Sequence, residues 1–277
     1  MTKTFKNVNA SALIIIYVMA FFKSLNTFSI YQIIFFRSLD SLFFTIPILI
    51  KLNISPLGNR RLLLILRGVF GLTSMGLFFL SLKYIEMGTS VALRYVAPIF
   101  ATVFALFFLK EKIKIFQWLC FILAFTGVIF LKGFDTEIKF EGVLFALLSA
   151  VFAGLVYITI RKIGNKDHPI VVVNYFMFIS MIFGGLMMIR YWITPTLNQL
   201  LTFMCLGVFG YFAQLFMTKA LQIGETNQVA PLKYLEVIFT MIVGLVWFNE
   251  SYSLLSVFGV LLIIIGLSLN VYIKRNK

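Results

Sequence analysis

The chain has 277 residues, of which 61% are hydrophobic and 12% are charged, and its formal net charge is +14. Soluble domains contain about 25% charged residues and roughly 45–50% apolar residues, so this composition excludes an ordinary soluble fold. The basic residues lie mostly in short connections between apolar runs, and we therefore do not interpret them as a nucleic-acid surface. Cys120 and Cys205 lie inside apolar runs without a CxxC motif, which argues against a disulfide framework or a zinc site.

Apolar runs of membrane-spanning length follow one another along the chain. A helix needs about 20 apolar residues to cross a bilayer, and only helices or closed barrels satisfy their backbone groups in lipid. The runs are too long for the alternating strands of a barrel. The sequence therefore predicts an all-α polytopic membrane protein with ten spans, near residues 9–26, 30–50, 62–82, 87–109, 114–131, 141–160, 169–190, 199–221, 227–248 and 254–273.

The connections between these spans differ in charge on the two sides of the membrane. When the N-terminus is placed in the cytoplasm, the cytoplasmic connections hold most of the lysines and arginines that lie outside spans. The positive-inside rule therefore predicts a plasma-membrane protein with both termini in the cytoplasm. We expect the N-terminal run to be a retained helix, because no small-residue cleavage site follows it.

An internal repeat is the most informative feature of the sequence. Gly68-Val69-Phe70-Gly71 recurs 139 residues later as Gly207-Val208-Phe209-Gly210, and the same offset relates Tyr95 to Tyr234, Glu111 to Glu250 and Gly127 to Gly266. An odd number of spans per copy makes the second copy enter the membrane from the opposite side. The sequence therefore predicts two inverted five-helix repeats, residues 1–133 and 141–277, an arrangement typical of secondary transporters.

Three motifs in the sequence are similar to those of one known family. They are Arg67-Gly68 through Ser74-Met75, Ala97-Pro98-Ile99-Phe100 leading to Leu109-Lys110-Glu111, and Tyr234-Leu235-Glu236 leading to Phe248-Asn249-Glu250. Together they resemble the EamA-like group of the drug/metabolite transporter superfamily, over nearly the whole chain. The resemblance implies ten helices in two inverted repeats around a central cavity, in proteins that export or import metabolites. The sequence departs from the family pattern at Val237, which stands where proline is common.

Charged residues inside the predicted spans are the main candidates for a functional site, since each costs about 2.5–3.5 kcal/mol to insert and normally faces a protein interior. Arg37 and Asp40 lie three residues apart on one helical face, and we predict that they form a structural ion pair. Arg94 has no acidic residue three or four positions away. Its counter-charge must therefore come from another helix or a ligand, unless its long stem reaches the membrane interface.

The repeat predicts one central polar cluster. Because the offset relates Arg94 to Lys233, an inverted repeat brings both cations near the pseudo-two-fold axis. Glu236 is then shared between them, and the surplus positive charge binds a substrate anion. The predicted substrate-binding residues are Arg67, Arg94, Tyr95, Lys233, Tyr234 and Glu236, although either tyrosine could equally serve in packing.

Four further residues are assigned gating or structural roles. Glu111 and Glu250 end the fourth and ninth spans, where the family likeness implies a gate; for Glu111, which lies among lysines, an ordinary solvated helix edge is the alternative. Pro98 and Pro231 lie in the same two spans and are expected to kink them.

The function predicted from these features is secondary transport of a small, charged or zwitterionic metabolite across the cytoplasmic membrane by alternating access. No nucleotide motif is present, so protons, other ions or exchange would supply the energy, and we predict no cofactor, metal or nucleic-acid partner. An intramembrane enzyme would need a nucleophile with a base, a carboxylate dyad or metal ligands, but the single histidine, His168, lies in a predicted connection. A non-transporting scaffold subunit is the other alternative, and the sequence does not fix an oligomeric state.

Overall fold

The computed structural model describes residues 25, 27–109, 115–133, 139–223 and 240–275. All regular elements in these ranges are helical, which confirms the predicted all-α class. The helices are α1 (Ile30–Lys51), α2 (Arg61–Ser81), α3 (Met87–Arg94), α4 (Ala97–Leu109), α5 (Ile115–Gly133), α6 (Phe140–Ile163), α7 (Pro169–Met188), α8 (Leu197–Ile223) and α9 (Leu254–Arg275). Residues 240–248 are also helical, and 3₁₀ turns at Gly164–Lys166 and Ile189–Tyr191 follow α6 and α7.

Six of the described helical segments are long and apolar enough to cross a membrane: Ile30–Lys51, Arg61–Ser81, Met87–Phe108, Phe140–Lys166, Pro169–Tyr191 and Leu197–Gln222. Two shorter apolar segments are Ile115–Phe130 and Leu254–Leu269. Large apolar side chains project outward from these helices, as Phe107, at 70% exposure, and Leu186, at 68%, illustrate. Such exposed apolar surface is expected where helices face lipid. The predicted first span lies outside the described residues, so the count of ten stays a prediction.

The chain divides into two compact units. The first unit comprises Met1–Gly76 and Thr159–Ile223, and the second comprises Leu77–Ile158 and Gly224–Lys277. Each unit therefore takes residues from both predicted repeats, and helices α2 and α6 contribute residues to both units.

In the first unit, α1 packs against α7 and α8. The hydroxyl of Ser29 accepts a hydrogen bond from the Gln32 N–H at 3.2 Å and so begins α1. His168 begins α7 in the same way, since its Nδ1 accepts from the Ile170 N–H at 3.3 Å. Burial, and then the charge of Lys219, lowers the pKa of His168, which keeps Nδ1 available as an acceptor. His168 thus has a helix-capping role.

Asp167 joins two connections of the first unit. Its buried carboxylate accepts hydrogen bonds from the backbone N–H groups of Asn59 and Arg60, the latter at 3.1 Å. These residues immediately precede α2, so Asp167 satisfies donors that the start of a helix otherwise leaves free. Gln222 on α8 donates to the carbonyls of Gly164 and Asp167 at 2.8 and 2.9 Å. The short connections are therefore fixed to the helix ends around them.

In the second unit, α5 packs against α9 through two glycines. A Cβ atom on Gly127 would lie 2.9 Å from the backbone nitrogen of Ile263, and one on Gly266 would lie 2.8 Å from that of Ala124. Each helix therefore lies directly on the backbone of the other. Both the two glycines and the two residues they contact are 139 positions apart, so the same contact occurs twice.

We expect Gly266→Ala to lower the thermal unfolding midpoint of the purified protein in detergent. The added methyl group meets backbone atoms that cannot move aside, and overpacking of this kind costs about 1–3 kcal/mol. Gly76→Ala is the matched control, because a Cβ there would meet only Ile34, at 3.9 Å. Alanine is also more favourable than glycine in a helix by about 1 kcal/mol, so Gly76→Ala should not lower the midpoint. Equal midpoints for the two variants would contradict the close approach of α5 and α9.

Candidate functional site

The fourth predicted span is interrupted near its middle. Helix α3 ends at Arg94 and α4 begins at Ala97, with Tyr95 and Val96 in a turn between them. The Val96 N–H bonds to a carbonyl three residues earlier at 3.2 Å, which tightens the last turn of α3. Pro98 has no N–H to offer to the Arg94 carbonyl four residues before it. The proline therefore explains why the expected single helix 87–109 is divided into two.

Arg94 is half-buried at the end of α3. Its guanidinium carbon lies 4.3 Å from the centroid of the Phe78 ring, a cation–π contact worth about 0.5–2 kcal/mol. Its neighbour Tyr95 is buried. The sequence did not predict Phe78 as a partner, because nothing in the spacing relates the two residues. The remaining predicted residues, Lys233, Tyr234, Glu236, Pro231 and Glu111, lie outside the described residues, so the cluster around Arg94 stays a prediction.

The first turn of α3 is bound by residues that follow the helical segment 240–248. Both carboxylate oxygens of Glu250 accept from the Met87 N–H, at 3.1 and 3.2 Å. The Tyr252 hydroxyl accepts from the Gly88 N–H at 3.2 Å and donates to Glu250. Burial, followed by the bond to Glu250, raises the pKa of Tyr252, so this phenol stays protonated. A carboxylate is favoured at a helix N-terminus by the helix dipole, and Glu250 is buried there.

We expect Glu250→Ala to loosen the start of α3. The change leaves the buried Met87 N–H without an acceptor, which costs about 1–3 kcal/mol. Hydrogen exchange followed by mass spectrometry should show faster exchange at the Met87 and Gly88 amides. Glu141→Ala, at an exposed acidic residue in the first turn of α6, is the matched control and should leave those amides unchanged. Equal exchange in both variants would refute the cap.

In the first unit, two glycines of α8 make room for charged side chains of α1. A Cβ on Gly207 would collide with Asp40, and a Cβ on Gly210 would lie 2.7 Å from Nε of Arg37. Ser41 donates to the Arg37 carbonyl at 2.8 Å and contacts the Gly207 carbonyl at 3.2 Å. The second copy of the repeated Gly-Val-Phe-Gly motif thus lets α8 lie against the polar face of α1.

The first copy of the motif makes room for Arg67. A Cβ on Gly71 would lie 2.7 Å from Nη1 of Arg67 and 2.9 Å from the Phe176 ring. The guanidinium carbon lies 4.3 Å from the centroid of that ring, and Nη2 donates to Oε1 of Gln214 at 2.8 Å. Arg67 is only 1% exposed. Among the described residues, nothing accepts a hydrogen bond from its Nε or Nη1.

Arg37 is buried and Asp40 is half-buried, and each lies against a glycine of α8. Arg37 is 5% exposed and donates from Nη1 to the sulfur of Met75. Oδ2 of Asp40 is buried, and no described residue donates a hydrogen bond to it. The ion pair between Arg37 and Asp40 stays a prediction. Sequence reasoning missed Gln214, Phe176 and Met75, because each contact joins distant parts of the chain.

A protein-family model and several known proteins match this chain. The model of the EamA-like transporter family matches residues 8–132 and 140–272. The chain is 28% identical over 263 residues to human solute carrier family 35 member G1, covering 87% of this chain and 72% of that protein. It is 26% identical to an S-adenosylmethionine uptake transporter of Rickettsia prowazekii (89% and 84% covered) and 24% identical to a pseudopaline exporter of Pseudomonas aeruginosa (85% and 84%). The names of these three relatives describe carriers or transporters, not enzymes.

A solved structure also matches the chain. One crystal structure superposes with a TM-score of 0.73 at 16% sequence identity, covering 99% of this chain and 98% of that chain. At that identity the likeness establishes a shared fold alone.

Proposed function

Since the chain belongs to the EamA-like transporter family, we propose that it is a secondary transporter of a small, charged or zwitterionic metabolite, working by alternating access in the cytoplasmic membrane. It is a multi-pass membrane protein with several apolar spans. Relatives at 24–28% identity carry names of transporters, among them one for uptake and one for export. Both directions of transport are therefore compatible with the family.

The interruption at Arg94 is the observation that carries this proposal. In secondary transporters, substrate and ion sites are typically built from discontinuous helices near the bilayer midplane. Here the break places the half-buried residue Arg94 three positions before Ala97, where α4 begins. Helix N-termini carry partial positive charge and favour anions. The two features together would attract a negatively charged group of a solute.

The substrate site that we propose also includes the residues that lie 139 positions after the break, in the second repeat. Lys233 would supply a second cation, Glu236 a carboxylate shared between the two, and Tyr95 and Tyr234 hydrogen bonds or ring surfaces. Two positive charges then face one negative charge, and the surplus binds an anionic group of the solute. Arg94 can hold a carboxylate through two parallel hydrogen bonds, which lysine cannot do.

The inverted-repeat architecture, with halves 1–133 and 141–277, is part of the same proposal. Several contacts between described residues recur at the 139-residue offset. Gly68 lies against Ile179, and their equivalents Gly207 and Asp40 lie against each other. The glycine contacts between α5 and α9 recur in the same manner. Paired contacts of this kind support two copies of one helical arrangement.

Reporter fusions test the proposed topology. With ten spans and inverted halves, a fusion at Lys277 should report a cytoplasmic location and a fusion after Lys139 an extracytoplasmic one. The reason is that an even number of spans returns the chain to its starting side, whereas five spans do not. A cytoplasmic signal after Lys139, or an extracytoplasmic one at Lys277, would exclude this model.

Solute flux into or out of proteoliposomes tests the transport function, with metabolites first selected by a thermal-shift screen. We expect Arg94→Ala to lower the apparent affinity about ten- to hundredfold, because a charged hydrogen bond is worth about 1.5–3 kcal/mol. Arg94→Lys should also impair transport, and Glu236→Gln should chiefly alter its pH dependence.

The control for Arg94 is Arg190→Ala, at an exposed arginine in the 3₁₀ turn after α7. It should leave flux unchanged, and both arginine variants should insert normally into the membrane. Wild-type flux from Arg94→Ala would rule out the proposed site. Absence of flux for every solute that binds the wild-type protein would favour a scaffold subunit instead.

A further inference from the structure

The guanidinium group of Arg67 is held in place by contacts that leave much of its hydrogen-bonding capacity unused. Phe176 covers one face, and Gln214 accepts one hydrogen bond from Nη2. A guanidinium has five N–H donors, and those on Nε and Nη1 meet no acceptor among the described residues although both atoms are buried. Gly71 lies close against Nη1, because a Cβ there would be only 2.7 Å away. The side chain of Arg67 is therefore fixed in position, but its Nε and Nη1 groups lack hydrogen-bond acceptors among the described residues.

Burial of an incompletely paired cation destabilises a fold. Desolvation of a charged group costs several kcal/mol, and apolar residues of similar volume are often neutral or stabilising in its place. The packing between α2, α7 and α8 therefore gives no reason for arginine at position 67. A ligand that pairs with the free N–H groups would offset the cost.

The internal repeat provides a comparison within the same chain. The first repeat places three charged residues at positions 37, 40 and 67, all in the first unit. Where α1 sets Asp40 and Arg37 against Gly207 and Gly210, the equivalent helix α7 sets the apolar residues Ile179 and Phe176 against Gly68 and Gly71. The repeat equivalents of Arg37, Asp40 and Arg67 are Phe176, Ile179 and Leu206. Each of these three positions is therefore apolar in one copy of the contact, so helix packing does not require a charge at any of them.

The order of the charges along α8 identifies Arg67 as the surplus cation. The α8 positions that contact Asp40, Arg37 and Arg67 are residues 207, 210 and 214, a spacing that places them on one helical face. At 1.5 Å per residue, Arg37 is about 4–5 Å along the axis from Asp40, and Arg67 is about 6 Å further on. The carboxylate of Asp40 is thus nearer to Arg37 than to Arg67. Among these three described side chains, one positive charge is left over, at Arg67.

We propose that Arg67, positioned by Gln214 and Phe176, binds a carboxylate group of an organic anion in the first unit. A carboxylate carries one negative charge and balances the single surplus cation. A phosphate monoester carries about −1.5 to −2 and would leave a buried negative charge. The inference rests on the proposed transport function to the extent that the anion is taken to be the solute. It names the class of that solute as carboxylates.

Ligand-induced thermal stabilisation of the purified protein in detergent tests the site. The probes are acetate, lactate and benzoate, each compared with its neutral amide, with sodium chloride at matched ionic strength and with phenyl phosphate, a phosphate monoester. We expect the carboxylates to raise the wild-type unfolding midpoint while the amides, chloride and phenyl phosphate do not. Stabilisation by phenyl phosphate equal to that by the carboxylates would contradict the proposed ligand class.

The decisive variant is Arg67→Leu, which introduces the residue found at the equivalent position of the second repeat. Its ligand-free midpoint should equal or exceed that of the wild type, and its half-maximal carboxylate concentration should rise at least tenfold. Arg61→Leu, at an exposed arginine that begins the same helix, should respond like the wild type. A carboxylate response that persists in Arg67→Leu, or the absence of any response in the wild type, overturns the proposal.

Arg67→Lys provides a second test if Arg67→Leu does not fold. It keeps the charge but loses the planar fork, so it should fold and bind the carboxylates at least tenfold more weakly. Unchanged binding would overturn the proposal. Because binding is measured without transport, a protein that binds through Arg67 but moves no solute would refute the proposed function alone. A protein that transports but gives no Arg67-dependent response would refute this inference alone.

Discussion

A charged side chain inside a membrane protein must find its polar partners in the protein, in water or in a bound ligand, because the hydrocarbon core supplies none. The described contacts follow from this constraint. Arg94 lies against an aromatic ring, Glu250 binds the first turn of α3, and Arg67 is enclosed by Gln214 and Phe176. In each case the partner comes from a different helix or connection. The contacts of these charged side chains therefore hold separate helices and connections together.

Glycine is what allows these charged groups to be buried at all. Gly71 and Gly210 are repeat equivalents, and a Cβ added to either would lie 2.7 Å from an arginine nitrogen. Any larger residue would displace the guanidinium group or separate the helices. The same residue type has a second use between α5 and α9, where it lets two backbones approach as small residues do in other membrane helices. The repeated glycines thus serve both polar burial and helix packing.

The fold class and the internal repeat could be predicted because they depend on patterns that the sequence contains directly. Apolar run length indicates the spans, and an offset of 139 residues relates the glycines whose helix contacts recur in the structure. The division of the fourth span was only partly predicted. Pro98 indicated a kink, but the end of α3 at Arg94 and the restart at Ala97 follow from the hydrogen bond that the proline removes.

The site contacts were harder to predict, because they join residues far apart in sequence. No local pattern relates Glu250 to Met87 or Gln214 to Arg67. The local rule that pairs Arg37 with Asp40 considers one helix alone. In the structure, α8 lies against the same face, and Gly207 and Gly210 contact both side chains. Residues on neighbouring helices therefore determine which contacts these charged side chains make.

A repeated scaffold with unequal charges can account for how one family serves many solutes. The glycine contacts recur in both halves, so they satisfy the requirement that the helices pack. The residues set against those glycines differ, being charged in one half and apolar in the other. A change at such a position alters what can bind without altering how the helices meet. The family relationship therefore establishes transport, whereas the solute must be inferred from the charges at these few positions.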